Sequence, residues 1–213
     1  MNFDNFSKQI IKIENLPLPG DASHYKMEPE ARRKWRENKA ITFQNAKKAA
    51  VLALFYPGPN QTTKLLFMLR KQYPGVHSNQ VGFPGGKVED EDLNLEETAK
   101  RETYEEVGIP PADIKIVKSL STVYIPPSNF LVQPFIALLE DRPSFSIDPI
   151  EVEELIEVRF TDLMNPDNLI MQRLSTSYAT KIRVPAFKLN GYTVWGATAM
   201  MVSEIKDLIE KVL

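Results

Sequence analysis

A helix with both ends marked lies between Asn94 and Pro111, and nothing else in the chain constrains the fold as strongly. Asn94 can cap the first free N–H groups, and Glu97 stands three residues on, in capping-box position. Gly108 suits a left-handed C-cap, and Pro110-Pro111 forbids continuation. Leu95, Ala99 and Val107 give this helix an apolar stripe that should lie on a core. Glu102, Glu105 and Glu106, at offsets of three and four, share a different face. Carboxylates that close repel one another unless a cation sits among them. An all-oxygen donor set suits Mg²⁺ or Mn²⁺ rather than zinc. Arg101, four residues before Glu105, can hold a carboxylate in one rotamer. Most acidic helix faces are merely solvated. Here the apolar stripe argues for a metal site, as does Gly85-Gly86 upstream, whose backbone can approach an ion with no Cβ in the way.

The rest of the chain is expected to build an α/β or α+β domain with a mixed sheet. Ala50–Tyr56 and Lys64–Arg70 are apolar runs across a Pro-Gly-Pro-Asn turn, the pattern of a hairpin. Further strands are expected at Ile114–Val123, Leu131–Leu139, Val152–Phe160, Ile182–Phe187 and Tyr192–Trp195. A closing helix over 197–212 carries Ala199, Val202, Ile205, Ile209 and Val212 as a stripe. Near the N-terminus, Phe6, Ile10, Ile11 and Ile13 suggest a helix over 5–14, stopped by Leu16-Pro17-Leu18-Pro19-Gly20, and charged residues 27–38 a short surface helix. Residues 1–45 are therefore expected as an arm packed on a domain of residues 46–213.

Bulk properties remove several functions. With no cysteine, disulfides, zinc–thiolate sites and a cysteine nucleophile are excluded. Lys and Arg number 26 against 28 Asp and Glu, so the basic excess of a general nucleic-acid or membrane binder is missing. No apolar run approaches the length of a membrane span. The first residues, with acidic Asp4 and short apolar runs, do not read as a secretory signal, and a cytoplasmic location is expected.

The segment GGKVEDEDLNLEETAKRETYEEVGI, residues 85–109, resembles the Nudix box, G-x5-E-x7-R-E-U-x-E-E-x-G-U with U aliphatic. Gly86 matches the opening glycine, and Arg101, Glu102, Glu105, Glu106, Gly108 and Ile109 match the closing half. Gly86 to Arg101 is one residue longer than the pattern, which leaves Asp92 as the nearest candidate for the middle Glu. Thr103 replaces the aliphatic residue. The longer loop, with Leu65-Leu66, Arg70, His77, Gln80 and Phe83-Pro84-Gly85-Gly86 upstream, is similar to the coenzyme A diphosphatase branch of that family. Gly75 stands where that branch has a second arginine, and Asn79 where it has a glycine. Tyr124–Phe135, Asp148–Phe160 and Trp195–Ala199 also look like that branch.

The resemblance implies an α/β/α sandwich and metal-dependent attack of water on a small-molecule nucleotide diphosphate. Coenzyme A or acyl-coenzyme A would give 3′,5′-ADP and (acyl)phosphopantetheine. It implies Gly86, Glu102, Glu105 and Glu106 as metal ligands, with Arg101 orienting them. Arg70, His77 and Gln80 would contact the substrate. The remaining carboxylate, as ligand or general base, would come from Glu151 or Glu154. Phe130 and Trp195 are expected as core or homodimer-interface aromatics. Two alternatives stand: a Nudix hydrolase of ADP-ribose, dinucleoside polyphosphates or nucleotide sugars, and a non-catalytic binding module. Such modules usually lack a box carboxylate, and this chain keeps all three.

Overall fold

Along Lys47–Pro57 (β1) the side chains alternate between two separate cores. Ala49, Ala53 and Phe55 join one cluster; Ala50, Leu52, Leu54 and Tyr56 join the other. A strand apolar on both faces must be covered on both, so β1 lies in the middle layer of a three-layer domain. The computed structural model describes residues 1–30, 32–33, 45–72, 78–174 and 182–213.

The sheet around β1 is mixed. One edge runs parallel to Phe130–Leu138 (β7), from Lys47↔Phe130 to Phe55↔Leu138. The other edge meets Thr63–Arg70 (β2) only beside the connecting turn, from Phe55↔Leu65 to Pro57↔Thr63. The two strands then splay, and the glycine-rich segment fills the wedge. Val81–Gly82 (β3) pairs with β2, and Gly85–Lys87 (β4) pairs with β1 through Val51↔Gly85. Lys115–Ser119 (β5) and Val123–Ile125 (β6) both lie antiparallel to β7, and Val152–Arg159 (β8) closes the outer edge of β2.

Helix ranges are Phe3–Ile10 (α1), Asp21–His24 (α2), Leu95–Val107 (α3), Phe160–Met164 (α4) and Gly196–Ile209 (α5). One cluster holds Ala99 and Val107 of α3; the other holds residues of α1 and α5. The α5 side also carries an antiparallel three-stranded sheet of Leu169–Leu174 (β9), Ile182–Leu189 (β10) and Tyr192–Trp195 (β11). This is the expected α/β/α sandwich with a mixed sheet. Asn94 Oδ1 accepts from the N–H groups of Glu96 and Glu97 at 2.9 and 3.0 Å, and Gly108 is left-handed at φ 77°, so α3 ends where its punctuation says.

Elsewhere the boundaries shift. The expected strand Ile114–Val123 is two strands, interrupted as Leu120 turns its N–H to the Pro134 carbonyl. The helix expected over 5–14 is α1 followed by a 3₁₀ turn, Ile11–Asn15. That tightening leaves Ile11 exposed, whereas Phe6, Ile10 and Ile13 are buried. Phe6 sits 4.8 Å from the Phe55 ring and 5.0 Å from Phe160, so residues near the N-terminus pack into the main core. Residues 31 and 34–38 of the charged segment 27–38 lie outside the described residues.

A second tie is polar. Glu204 of α5 is fully buried, yet its carboxylate accepts four hydrogen bonds. They come from Gly20 N (3.1 Å), Ser121 N (3.2 Å), Ser121 Oγ (2.6 Å) and, as the donor, His24 Nε2 (3.1 Å). A carboxylate survives such burial only when its lone pairs are matched in this way.

Candidate active site

The site is built where β4 passes between β1 and α3. A Cβ on Gly85, whose φ is +139°, would fall 2.2 Å from the Ala50 carbonyl oxygen; only glycine lets this strand lie against β1. A Cβ on Gly86 would fall 2.3 Å from Glu102 Oε2, so the missing side chain is the space that Glu102 occupies. Glu106 lies deeper, its side chain 2% exposed. It accepts from Gly85 N at 2.7 Å and from Arg70 Nη2 at 3.3 Å, and the same Arg70 nitrogen donates to the Gly85 carbonyl at 2.7 Å. Burial pushes the Glu106 carboxyl up to about 8, with Glu102 and Glu151 adding to the rise and Arg70 opposing it. Burial likewise raises Glu102, with Glu105 and Glu151 adding and Arg101 opposing.

Arg101 is the hub of the outer half. Its Nε and Nη2 grip Asp92 at 2.8 and 2.9 Å, Nη1 reaches Glu102 at 3.2 Å and Glu105 at 2.9 Å, and Nη2 also donates to the Lys87 carbonyl at 3.0 Å. Asp92 further accepts from Glu89 N and Thr98 Oγ1, and its side chain is 4% exposed. The Arg101 hydrogen bonds hold the Asp92 carboxyl well below the usual carboxylate range. Asp92 is thus a buried strut for Arg101.

A cavity of about 430 Å³ opens from this cluster. Arg70, Gln80, Gly86, Lys87, Glu102 and Glu151 line one part of it; Phe130 and Trp195 line another, a place the core or interface expectation for these aromatics did not include. Glu154 is not among the lining residues, and its carboxylate accepts a hydrogen bond from the Tyr192 hydroxyl. Glu105 is half exposed and turned to Arg101. His77 and Gly75 lie outside the described residues. Sequence reasoning missed two things: that Arg70 partners Glu106, and that Asp92 is locked to Arg101. Both pairings are made by tertiary approach, and no spacing rule announces them.

Among the described residues, no three acidic or histidine side chains converge into a finished metal cage. The donors nonetheless fit a hard divalent ion. All are oxygens, and the Glu151 carboxylate raises the proton affinity of both Glu102 and Glu106, an excess of negative charge that a cation offsets.

A family model for the NUDIX domain matches residues 46–180. A Caenorhabditis elegans protein named as a peroxisomal coenzyme A diphosphatase is 29% identical over 160 residues, covering 74% of this chain and 67% of that protein. An uncharacterised Nudix hydrolase, NudL, from Yersinia enterocolitica is 32% identical over 172 residues, covering 78% of this chain and 83% of the relative. The crystal structure of RenU, a Nudix hydrolase from M. smegmatis, superposes with a TM-score of 0.54 at 16% identity, over 79% of this chain and 88% of that one, and so speaks for the fold. The domain match spans more than half of the sequence and covers the helix and the glycine turn that assemble this cluster, and on that ground the chain belongs to the Nudix family of hydrolases, which split phosphoanhydride bonds.

Proposed function

We propose that this hydrolase cleaves coenzyme A or acyl-coenzyme A to 3′,5′-ADP and (acyl)phosphopantetheine, with Mg²⁺ or Mn²⁺, in the cytoplasm, through a catalytic domain of residues 46–213 braced by the arm 1–45. The observation that carries the chemistry is the carboxylate cluster at Gly86, opening on a cavity that Arg70 and Lys87 also line. Leu65-Leu66, Arg70, Gln80 and Phe83–Gly86, together with the C. elegans relative's name, support the choice of substrate.

Glu102, Glu105 and Glu106, with the Gly86 carbonyl, are the proposed metal ligands. A bound dication lowers the pKa of water and offsets charge on the diphosphate oxygens. The chain's own residues do the rest. Arg101, braced by Asp92, fixes the Glu102 and Glu105 carboxylates. Arg70, Gln80 and His77 are the proposed substrate contacts, the guanidinium suiting a phosphate oxygen. Water oxygen bonds to one phosphorus, the bridging P–O bond breaks, and the water proton passes to a carboxylate. Glu151, on the cavity wall, fits that base better than Glu154, which Tyr192 already engages.

The second reading, a Nudix hydrolase of ADP-ribose or a dinucleoside polyphosphate, draws on Gly75 and Asn79. A Mg²⁺- and Mn²⁺-supplemented screen over coenzyme A, acetyl-coenzyme A, ADP-ribose and diadenosine polyphosphates decides between them. Preference for the coenzyme A compounds is the expected result; equal or better turnover of ADP-ribose overturns the narrow assignment.

A further inference from the structure

The last two carbonyls of α3 are capped by a segment nearly forty residues further along the chain. Ser146 N donates to the Val107 carbonyl at 3.0 Å, and Asp148 N donates to the Glu106 carbonyl at 3.0 Å. These are acceptors that a helix end leaves without intrahelical partners. The segment fits because Gly108 has no side chain: a Cβ there would fall 2.8 Å from Ser146 Cβ. Just before it, the Phe145 ring lies edge-on to Tyr56 at 5.7 Å, packed on the core that α3 covers. The segment is therefore docked on the same helix that presents Glu102 and Glu106.

From that dock the chain turns once, over residues 149–151, and enters β8. Asp148 shapes the turn with its carbonyl, which accepts from Val152 N at 3.0 Å, and with its Oδ1, which accepts from Ile150 N at 2.8 Å. The side-chain bond to the second residue on is an Asx turn, and Pro149 presets the backbone angle that follows. Glu151 closes the turn, its own carbonyl accepting from Lys71 N at 2.9 Å. A bulge comes next: Leu69 pairs with Glu154 but Arg70 with Val152, leaving Glu153 as the extra residue, a device that re-aims neighbouring side chains.

Glu151 is thus fixed through the backbone on both sides. Its carboxylate lines the cavity and makes no hydrogen bond or ion pair among the described residues. It lies close enough to Glu102 and Glu106 to raise the proton affinity of both. We infer that Asp148 is a positioning residue: its Asx turn, clamped to the Glu106 carbonyl, aims Glu151 at the water that attacks phosphorus. This role rests on Glu151 being the proton acceptor, as proposed above. The acceptor and the helix of proposed metal ligands then keep their alignment as one body, because the residue that aims the first is bonded to the backbone of the second.

The test uses the full chain with Mg²⁺ and whichever diphosphate it hydrolyses best. Asp148→Asn keeps the Oδ1 acceptor and should hold kcat near that of the parent. Asp148→Ala removes the acceptor, and Asp148→Glu carries the charge one methylene too far. Each should lower kcat by about tenfold or more with KM little changed, the cost of misplacing a reacting group. In a Glu151→Gln background, Asp148→Ala should cost no further activity, whereas a merely structural lesion would cost the same in both backgrounds. Where Asp148→Ala fails to fold, the comparison of Asp148→Asn with Asp148→Glu decides, since a role for charge alone would rank them the other way. Full kcat in Asp148→Ala or Asp148→Glu, an Asp148→Asn variant as impaired as Asp148→Ala, or additive losses in the double variant overturns the positioning role and leaves the proton acceptor in place. Full activity of Glu151→Gln removes the proton acceptor and the positioning role with it.

Discussion

Asp92 holds Arg101 with both carboxylate oxygens, 2.8 Å to Nε and 2.9 Å to Nη2, across the loop that is one residue longer than the family pattern. Because Arg101 in turn bonds Glu102 and Glu105, removing the strut should loosen two proposed metal ligands at once. Asp92→Asn should lower kcat by about ten- to a hundredfold, the range seen when a group supporting metal ligands is lost, with KM little changed. Steady-state kinetics at saturating Mg²⁺ measure this. Full activity would show that Arg101 keeps its orientation unaided.

The paired glycines should separate fold from function. Gly86→Ala drives a Cβ into the flexible end of Glu102, which can move, so activity should drop at least about a hundredfold while the melting temperature stays near that of the parent. Gly85→Ala meets the Ala50 backbone and carries a φ of +139°, neither of which can yield cheaply. That variant should lose about 2 kcal/mol or more of stability. Parallel kcat and urea-melt measurements distinguish them, and equal loss of stability in both would contradict the assignment.

Metal-free stability should fall as pH rises from about 4.5 towards 8. The sign follows from Glu106, whose carboxyl titrates at about 8 when folded and near 4.5 when unfolded. Across that window the unfolded chain has released a proton that the folded chain still holds, so raising pH favours unfolding. Glu102, also raised, acts in the same direction, whereas Asp92 titrates below the window. Mg²⁺ should reverse the trend and release protons on binding. Thermal melts with EDTA and with Mg²⁺ at several pH values test it; a flat EDTA profile would sink the assignment of buried, coupled carboxylates.

Charge removal at the helix should leave a different signature. Glu105→Gln and Glu106→Gln should each reduce kcat by at least about a hundredfold, and Glu106→Gln should also raise the metal-free melting temperature near pH 8 by removing a buried charge. For the proton acceptor, Glu151→Gln should flatten the acidic limb of the kcat/KM profile while Glu154→Gln leaves it unchanged. The opposite pattern would move the base to Glu154.

What the sequence revealed depended on how local the determinants were. Helix α3 was legible because its cap, stripe and stop lie within a few residues of one another. The carboxylate face followed from helical period alone. The edge strand β9 went unseen: its exposed face carries apolar Leu169 and Met171, and only Arg173 marks it as polar. Arg70 was singled out as a phosphate contact, but its bonds to Glu106 and to the Gly85 carbonyl depend on the splay of β1 from β2, which no local pattern encodes.

The four donors around Glu204 set an order of events during folding. Gly20 and His24 lie about 180 residues before the carboxylate they help to satisfy, and Ser121 supplies the other two hydrogen bonds from mid-chain. On a ribosome, the sheet strands and α3 emerge well before residue 204, yet residues 20–24 must wait for α5 to appear before their partner exists. Closing so long a loop is slow, and the reward arrives only with the last helix. Until then the part of the core that Met201, Val202 and Ile205 of α5 complete lacks its cover. A piece cut to residues 46–180 would be held permanently at that stage, with an uncovered apolar face and a tendency to self-associate.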